Sequence, residues 1–287
     1  MKILVTGANG QLGKALQHLA KHHPEHKFRF LSREDLPIHH FELVRNFFKA
    51  DPPDVCINAA AYTAVDRAET ERDLAFQVNA EAVGVLAAVC KAHGSRFIHV
   101  STDYVFDGTS HKPYKEDDST GPLTVYGESK LEGERQAMQL NPDSVIIRTS
   151  WVYHETGKNF VKTIIRLLDE RPYIGVVNDQ IGSPTYAGNL AACTMKIAEA
   201  ENFVPGIYHF SDQGEISWYD FAVEIAHQID SNTEVRPIST PEFITPARRP
   251  AFSVLDKSKV VKTYRVELKP WQESLKDCIQ AIRKPHS

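Results

Sequence analysis

The chain has 287 residues, 42% hydrophobic and 24% charged, with a formal net charge of -4. That balance fits an ordinary globular protein, long enough to bury a sizeable core in one large domain or two intimate ones. It excludes the basic footprint of a nucleic-acid binder, and the clusters Lys21-His22-His23 and Arg248-Arg249 are too small to restore one.

The first predicted strand, Lys2–Val5, follows the first Met directly, so no secretory signal is expected. No apolar run is expected to reach the length of a membrane span. Cys56, Cys90, Cys193 and Cys278 show no CxxC spacing and read as reduced core residues, which points to a cytoplasmic protein. The thirteen histidines form no HExxH motif. The adjacent pairs His22-His23 and His39-His40 read as surface residues, because neighbours on a regular element diverge, and no metal site is expected.

Strand Lys2–Val5 runs into Thr6-Gly7-Ala8-Asn9-Gly10-Gln11-Leu12-Gly13, and a helical pattern continues over Gly13–Leu19. Glycines at 7, 10 and 13 let the backbone turn tightly and approach a pyrophosphate, and the following helix presents free N–H groups to it. The spacing is G-x-x-G-x-x-G rather than the G-x-G-x-x-G of the usual dinucleotide fingerprint. A second strand, Phe28–Leu31, ends in Ser32-Arg33-Glu34-Asp35. Arg33 facing a 2′-phosphate, with Ser32 hydrogen-bonding it, favours NADPH, while Glu34 and Asp35 keep NADH open. The third strand, Val55–Ala59, leads into Asn58-Ala59-Ala60-Ala61-Tyr62. Small residues there let a cofactor lie against the backbone, and equally they pack tightly.

A helical pattern over Glu81–Ala92 precedes a fourth strand, Phe97–Val100, which ends at Ser101-Thr102-Asp103-Tyr104. Ligands of open α/β sheets sit outside the carboxyl ends of strands, so a hydroxyl there is placed to meet a substrate carbonyl. A further helix runs from Tyr126 to about Leu140 and puts Tyr126 and Lys130 on one face at i and i+4. Tyrosine ordinarily titrates at about 10, and a nearby ammonium is expected to lower it, making the pair a general acid/base. Strand Val145–Ile147 closes this half. Beyond residue 150 the pattern loosens, with loop signals at Gly182-Ser183-Pro184, Ser239-Thr240-Pro241 and Arg248-Arg249-Pro250, and a helix over Ser217–Gln228 opened by Ser217. The alternation of strands and helices argues for an α/β fold with a parallel sheet. Residues 1–150 read as a dinucleotide-binding domain. Residues 151–287 read mainly as a smaller substrate-binding lobe, with segments returning to the first domain.

The chain resembles the extended short-chain dehydrogenase/reductases and, within them, the dTDP-4-dehydrorhamnose reductases. The resemblance rests on TGANGQLG from Thr6, NAAAYTAVDRAE from Asn58, STDYVFDG from Ser101, YGESKLEGE from Tyr126, RTSWVY from Arg148, DQIGSPT from Asp179 and ARRP from Ala247. It implies a Rossmann-type doubly wound sheet and a triad of Thr102, Tyr126 and Lys130. It implies cofactor contacts at Gly10, Gln11, Leu12, Ala60, Ala61, Tyr62, Tyr126 and Lys130. Substrate contacts follow at Thr102, Asp103, Val105, Trp151, Asn159 and Arg249, with Arg249 pairing to a diphosphate. The implied reaction is NAD(P)H-dependent reduction of the C4 ketone of dTDP-4-dehydro-L-rhamnose. The alternatives are a reductase of another nucleotide-linked 4-keto-6-deoxy sugar, or a non-catalytic subunit resembling the methionine adenosyltransferase β-subunit. Relatives that hold Mg²⁺ at a dimer interface do so through glutamates, and the matching positions here are Ala15 and Gly188, so a monomer or a metal-independent homodimer is expected. Where the family often has an Asp after the second strand, this chain has Leu36-Pro37-Ile38.

Overall fold

The structure, a computed structural model, describes residues 1–284. Its first half alternates strands and helices: β1 (Lys2–Thr6), α1 (Gln11–Ala20), β2 (Lys27–Leu31), α2 (Phe41–Ala50), β3 (Val55–Asn58), α3 (Val65–Ala68), α4 (Arg72–Phe76), α5 (Ala82–His93), β4 (Arg96–Thr102), α6 (Val125–Leu140) and β5 (Val145–Thr149). Then follow β6 (Val152–Tyr153), α7 (Phe160–Glu170), β7 (Tyr173–Val177), β8 (Ile181–Gly182), β9 (Thr185–Tyr186), α8 (Ala187–Ala198) and β10 (Gly206–Phe210). The chain ends with β11 (Ile216–Ser217), α9 (Trp218–Gln228), β12 (Glu234–Ile238), α10 (Ser258–Tyr264) and α11 (Trp271–Arg283).

Six parallel strands form the central sheet in the order β10-β5-β4-β3-β1-β2. Successive residues on a strand point to opposite faces, so one apolar run feeds two cores. Ile3, Val5, Val55 and Ile57 pack with Leu12 and Leu16 of α1 and Leu190 of α8. Leu4, Cys56, Phe97 and Ile146 pack on the other face with Val44 and Phe48 of α2, Leu86 of α5 and Ala137 of α6. Each fully buried aliphatic chain contributes about 1.5–3 kcal/mol, so both helical layers are held by the strands' alternation. The strand order reverses beside β1, where β2 leaves to one side and β3 to the other, opening a crevice at the carboxyl ends of the strands. β10 pairs with β5 and α8 packs on α1, so residues 187–210 belong physically to this sheet. A third core gathers Phe221, Ile225, Trp271 and Leu275 of α9 and α11 with Ile164 and Leu168 of α7, beside the β7–β12 pair. Ser217 caps α9 in a reciprocal box with Asp220.

Four features depart from the sequence expectation. β4 extends through Ser101 and Thr102, two residues beyond Val100, and Thr102 also caps the short 3-10 turn that follows by accepting from the Tyr104 N–H. α1 starts at Gln11, ahead of Gly13. Strand β3 stops at Asn58, leaving Ala59 outside. Residues Arg72–His93 form one helical stretch of 22 residues, long and apolar enough to cross a membrane. Its Ala75, Ala80, Val83, Leu86 and Cys90 are buried against the rest of the fold, which accounts for that apolarity. A π-helical turn at Gln77–Glu81 interrupts this stretch. The four cysteines are free and buried.

Candidate active site

A cavity of about 710 Å³ occupies the crevice at the carboxyl ends of β1, β3, β4 and β5. It is lined at one end by Gly7, Gly10, Gln11, Leu12, Ser32, Arg33, Ala60, Ala61 and Tyr62, and at the other by Thr102, Asp103, Tyr126, Lys130 and Trp151. Gly7 has φ +70°, and a Cβ there would lie 2.6–2.7 Å from the backbone of Ala59 and Ala60, so glycine alone lets the loops after β1 and β3 approach. No side chain caps the N-terminus of α1, so its first N–H groups are available to an anion and its dipole favours one. These features fit the pyrophosphate of a dinucleotide. Gly13 does not line the cavity; a Cβ on it would sit 2.4 Å from the Gly7 carbonyl oxygen, which makes it a packing glycine.

Arg33 and Glu34 both reach the cavity rim, whereas Asp35 is turned away. The Ser32 hydroxyl and backbone N–H donate to Asp35 Oδ2 at 2.7 and 2.9 Å, so the Ser32 proton is already engaged. Leu36, Ile38 and His39 complete this rim, and His39 is thereby a cavity residue rather than a plain surface one. Tyr62 is fixed from behind by Asn79, which accepts from its backbone N–H at 2.8 Å and donates to its carbonyl at 3.0 Å and to the Ser129 hydroxyl at 3.0 Å. Asn79 lies in the π-helical turn, and its one signal in the sequence is a buried-type amide within an apolar helical run. The Tyr62 phenol donates to Glu71 at 2.6 Å, which also holds its pKa up.

At the chemical end, Thr102 ends β4 and Tyr126 stands in the first turn of α6, whose N-terminus Thr124 caps through the Gly127 N–H. Burial pushes Tyr126 up to about 12, with the Thr102 hydroxyl pulling it down and Asp103 pushing it further up. Lys130 does not lower it. Its Nζ donates to the Val100 carbonyl at 2.7 Å and lies 3.2 Å from His99 Nε2. The expected ammonium effect on the tyrosine is therefore absent here, because Lys130 is turned towards β4. Burial, opposed by Glu134, brings Lys130 down to about 8.

The Thr6 hydroxyl and Ala60 N–H donate to Asn58 Oδ1 at 2.6 and 3.2 Å, so the Asn58 amide NH₂ faces His99 Nδ1 at 3.0 Å. That turns the other ring nitrogen, Nε2, towards Lys130. Burial and the neighbouring Lys130 hold His99 well below its usual range, consistent with a neutral ring. Behind Lys130, Glu134 accepts from Arg148 Nε at 3.0 and 3.1 Å and from its Nη2 at 2.7 Å, with both side chains buried.

Two buried oxygens near the cavity, Ser101 Oγ and Asp103 Oδ2, have no hydrogen-bond partner. Burial raises Asp103 to about 6. Trp151 forms a wall with φ +45°, its ring stacked on Trp218 at 3.5 Å and 11°. A Cβ on Gly182 would fall 2.5 Å from the Trp151 ring, so the glycine of DQIGSPT makes room for it.

Three residues implied as substrate contacts lie back from the lining. Val105 is fully buried with Phe106, Tyr114, Leu131 and Leu255, in the core rather than the cavity. Asn159 caps α7 and donates to Gln11 Oε1 at 2.9 Å and the His154 carbonyl at 2.6 Å. With Gln11 donating to the Val152 carbonyl at 3.2 Å, the pair pins the glycine loop to the segment after β5. Arg249 is committed to Asp66 at 3.0 Å and to Thr245 at 2.5 Å, tying the late loop to the segment after β3. Lys158 is an exposed cation among the residues that line the cavity.

The chain matches the family described as the RmlD substrate binding domain over residues 1–284. It is 44% identical over 286 residues to a dTDP-4-dehydrorhamnose reductase of Aggregatibacter actinomycetemcomitans, covering 96% of this chain and 97% of that one. Among solved structures, a dTDP-4-dehydrorhamnose reductase of Clostridium acetobutylicum superposes with a TM-score of 0.95 at 41% identity, covering 99% of this chain and 100% of that one. The Bacillus anthracis dTDP-4-dehydrorhamnose reductase, solved in complex with NADP, gives 0.93 at 37% identity, over 98% and 99% of the two chains.

Proposed function

From the chain's membership of the dTDP-4-dehydrorhamnose reductase family, we propose that it reduces the C4 ketone of dTDP-4-dehydro-L-rhamnose to dTDP-L-rhamnose with NADPH, NADH being the lesser cofactor. The observation that carries this reading is the single cavity wall that joins the glycine loop and uncapped α1 to Thr102, Tyr126 and Lys130. Bound at the glycine loop, the cofactor supplies the hydride that C4 accepts. Gly10, Gln11 and Leu12 hold its pyrophosphate through backbone N–H groups. Ala60, Ala61 and Tyr62 flank its nucleoside, and Arg33 meets the 2′-phosphate.

The Thr102 hydroxyl, which donates to Asp103 Oδ1 at 3.0 Å in this structure, turns to donate a hydrogen bond to the C4 carbonyl oxygen and orients it. As the carbonyl π bond opens, that oxygen gains charge and takes the phenolic proton of Tyr126, giving the alcohol. Tyr126, held at about 12, enters the step fully protonated, which a proton donor requires. The phenolate left behind recovers its proton from solvent, and Lys130 holds the nicotinamide ribose. Asp103 and Trp151 contact the sugar, and Trp218, stacked behind Trp151, keeps that ring in place. Lys158 faces anionic oxygens, a task Arg249 is too engaged with Asp66 to take.

The protein acts in the cytoplasm, in keeping with its four free cysteines. It works as a monomer or as a homodimer without bridging Mg²⁺, since Ala15 and Gly188 offer only backbone carbonyls. Residues 151–287 serve mainly as the substrate lobe, and the β10 and α8 segments return to the 1–150 domain. The test is NAD(P)H oxidation on a panel of dTDP-, GDP- and UDP-linked 4-keto-6-deoxy sugars. Fast turnover is expected with dTDP-4-dehydro-L-rhamnose, and turnover confined to another sugar would overturn the assignment.

A further inference from the structure

Far from the cavity, four side chains converge that the reaction does not use. His23, Glu25 and His26 lie on the turn between α1 and β2, in the run His23-Pro24-Glu25-His26, and Glu199 caps the C-terminus of α8. We infer that His23, Glu25, His26 and Glu199 form a binding site for one divalent transition-metal ion, zinc being the best fit, which staples the α1–β2 turn to the end of α8.

The geometry carries this. Glu199 Oε1 lies 2.9 Å from His23 Nδ1 and 3.0 Å from His26 Nε2. Glu25 Oε1 lies 3.4 Å from His23 Nδ1 and 3.7 Å from His26 Nε2. All four donor atoms fall within 4.8 Å of one another. Zinc–nitrogen and zinc–oxygen bonds of about 2.0–2.2 Å, spread at the tetrahedral angle, put ligand atoms about 3.3–3.6 Å apart. These four separations bracket that range and the other two pairs stay within 4.8 Å, so modest side-chain shifts let one ion take all four ligands.

An ordinary histidine–carboxylate hydrogen bond joins His26 to Glu199, and it does not account for a second carboxylate oxygen, from Glu25, lying 3.4 and 3.7 Å from the same two ring nitrogens against the repulsion of the first. A divalent cation removes that repulsion, because two neutral imidazoles and two carboxylates balance its charge. Imidazole with carboxylate suits zinc among the common ions and suits Mg²⁺ or Ca²⁺ poorly.

The ligands are also held in place. The His23 N–H donates to the Ala20 carbonyl and the His26 N–H to the His23 carbonyl, both at 3.1 Å. Arg96 donates to the carbonyls of Ala198 and Ala200 at 2.8 and 2.9 Å, bracketing Glu199. His26 Nδ1 faces the Met1 amino nitrogen at 3.5 Å, leaving Nε2 as the ligating atom. The side chains of His23 and His26 are 24% and 11% exposed, so the rings are partly enclosed while an entry path remains. Arg96 begins β4 and Thr102 ends it, so the site sits roughly 20 Å from the cavity at about 3.3 Å per strand residue. The role is a staple, and the site shares no residue with Ala15 or Gly188.

The test uses the full chain without an affinity tag, stripped of metal and titrated with Zn²⁺ by calorimetry and against a chromogenic chelator. One ion per chain is expected, with a rise in Tm of several degrees at saturating zinc. Glu199→Gln and His26→Gln should each weaken zinc binding by at least about tenfold and abolish the Tm rise, with NADPH oxidation unchanged. No stoichiometric zinc, or equal affinity in wild type and both variants, overturns the site. Should His26→Gln fail to fold, X-ray absorption at the zinc edge of the wild-type protein decides: two imidazole ligands sustain the assignment, and none overturns it.

Discussion

Replacing Tyr126 with Phe removes one oxygen and its proton and little else. The ring packs edge-on to Tyr104 at 5.8 Å, and Phe keeps that contact. Burial holds the phenol at about 12, so the wild-type acid is fully loaded across the neutral range and no fraction of its effect is lost to ionisation. The variant should therefore lose the whole general-acid contribution, about 10²–10⁴-fold in kcat, equivalent to about 3–5 kcal/mol of barrier. NADPH affinity, measured by fluorescence titration, should stay within about twofold, because the cofactor's main holds are backbone groups of the glycine loop. The same reasoning fixes the pH profile of the wild type. Lys130 lies at about 8 in the free enzyme, and its charged form donates to the nicotinamide ribose. As pH rises through about 8 that charge is lost, so kcat/KM should fall there, well below the pH at which Tyr126 itself ionises. A stopped-flow assay of both proteins from pH 6 to 10 measures this. A Tyr126→Phe rate within tenfold of wild type would refute Tyr126 as the donor, and a flat profile to pH 9.5 would refute the role given to charged Lys130.

Arg33→Asp should shift the NADPH:NADH affinity ratio towards NADH, since Glu34 already stands beside it on the rim; an unchanged ratio would place Arg33 in solvent. Arg148→Met should cost about 3–5 kcal/mol of stability, because it strands Glu134 in a site where both partners are at most 3% exposed. The double variant Arg148→Met/Glu134→Met should recover most of that loss in urea unfolding, and a single variant within 1 kcal/mol of wild type would contradict the argument. His99→Leu should cost about 1–3 kcal/mol by leaving Asn58 Nδ2 and Lys130 short of a partner, read from the same unfolding curves. EDTA should leave turnover within twofold and sedimentation unchanged by Mg²⁺, since Ala15 and Gly188 cannot ligate through side chains; Mg²⁺-dependent dimerisation would show that other residues rebuild a bridge.

Much of this protein is written in local pattern. Five of the six strands of the central sheet are legible as short apolar runs, because burial on both faces leaves few polar positions to confuse them, whereas β10, which opens on glycine and carries His209, is not. The glycine loop and the Tyr126–Lys130 spacing are legible for a related reason: a φ of +70° at Gly7 and a shared helix face are properties of a few consecutive residues. The Ser217 cap falls in the same class.

Tertiary structure alone decided the rest. The i,i+4 spacing places Lys130 near Tyr126, but only the packing of α6 on β4 turns its Nζ to Val100 and His99 and leaves the tyrosine high. Arg249 and Asn159 stand in motifs that suggest ligand contact, yet Asp66, 183 positions away in the chain, and Gln11, 148 away, engage them first. His23 and His26 carry no recognisable metal spacing, because half of their partnership, Glu199, arrives from 173 residues downstream. Hydrogen bonds and ion pairs act over about 3 Å of space and are indifferent to sequence separation. A chain therefore declares its elements through neighbours in sequence, and its charges find their partners only when the sheet has brought distant loops together.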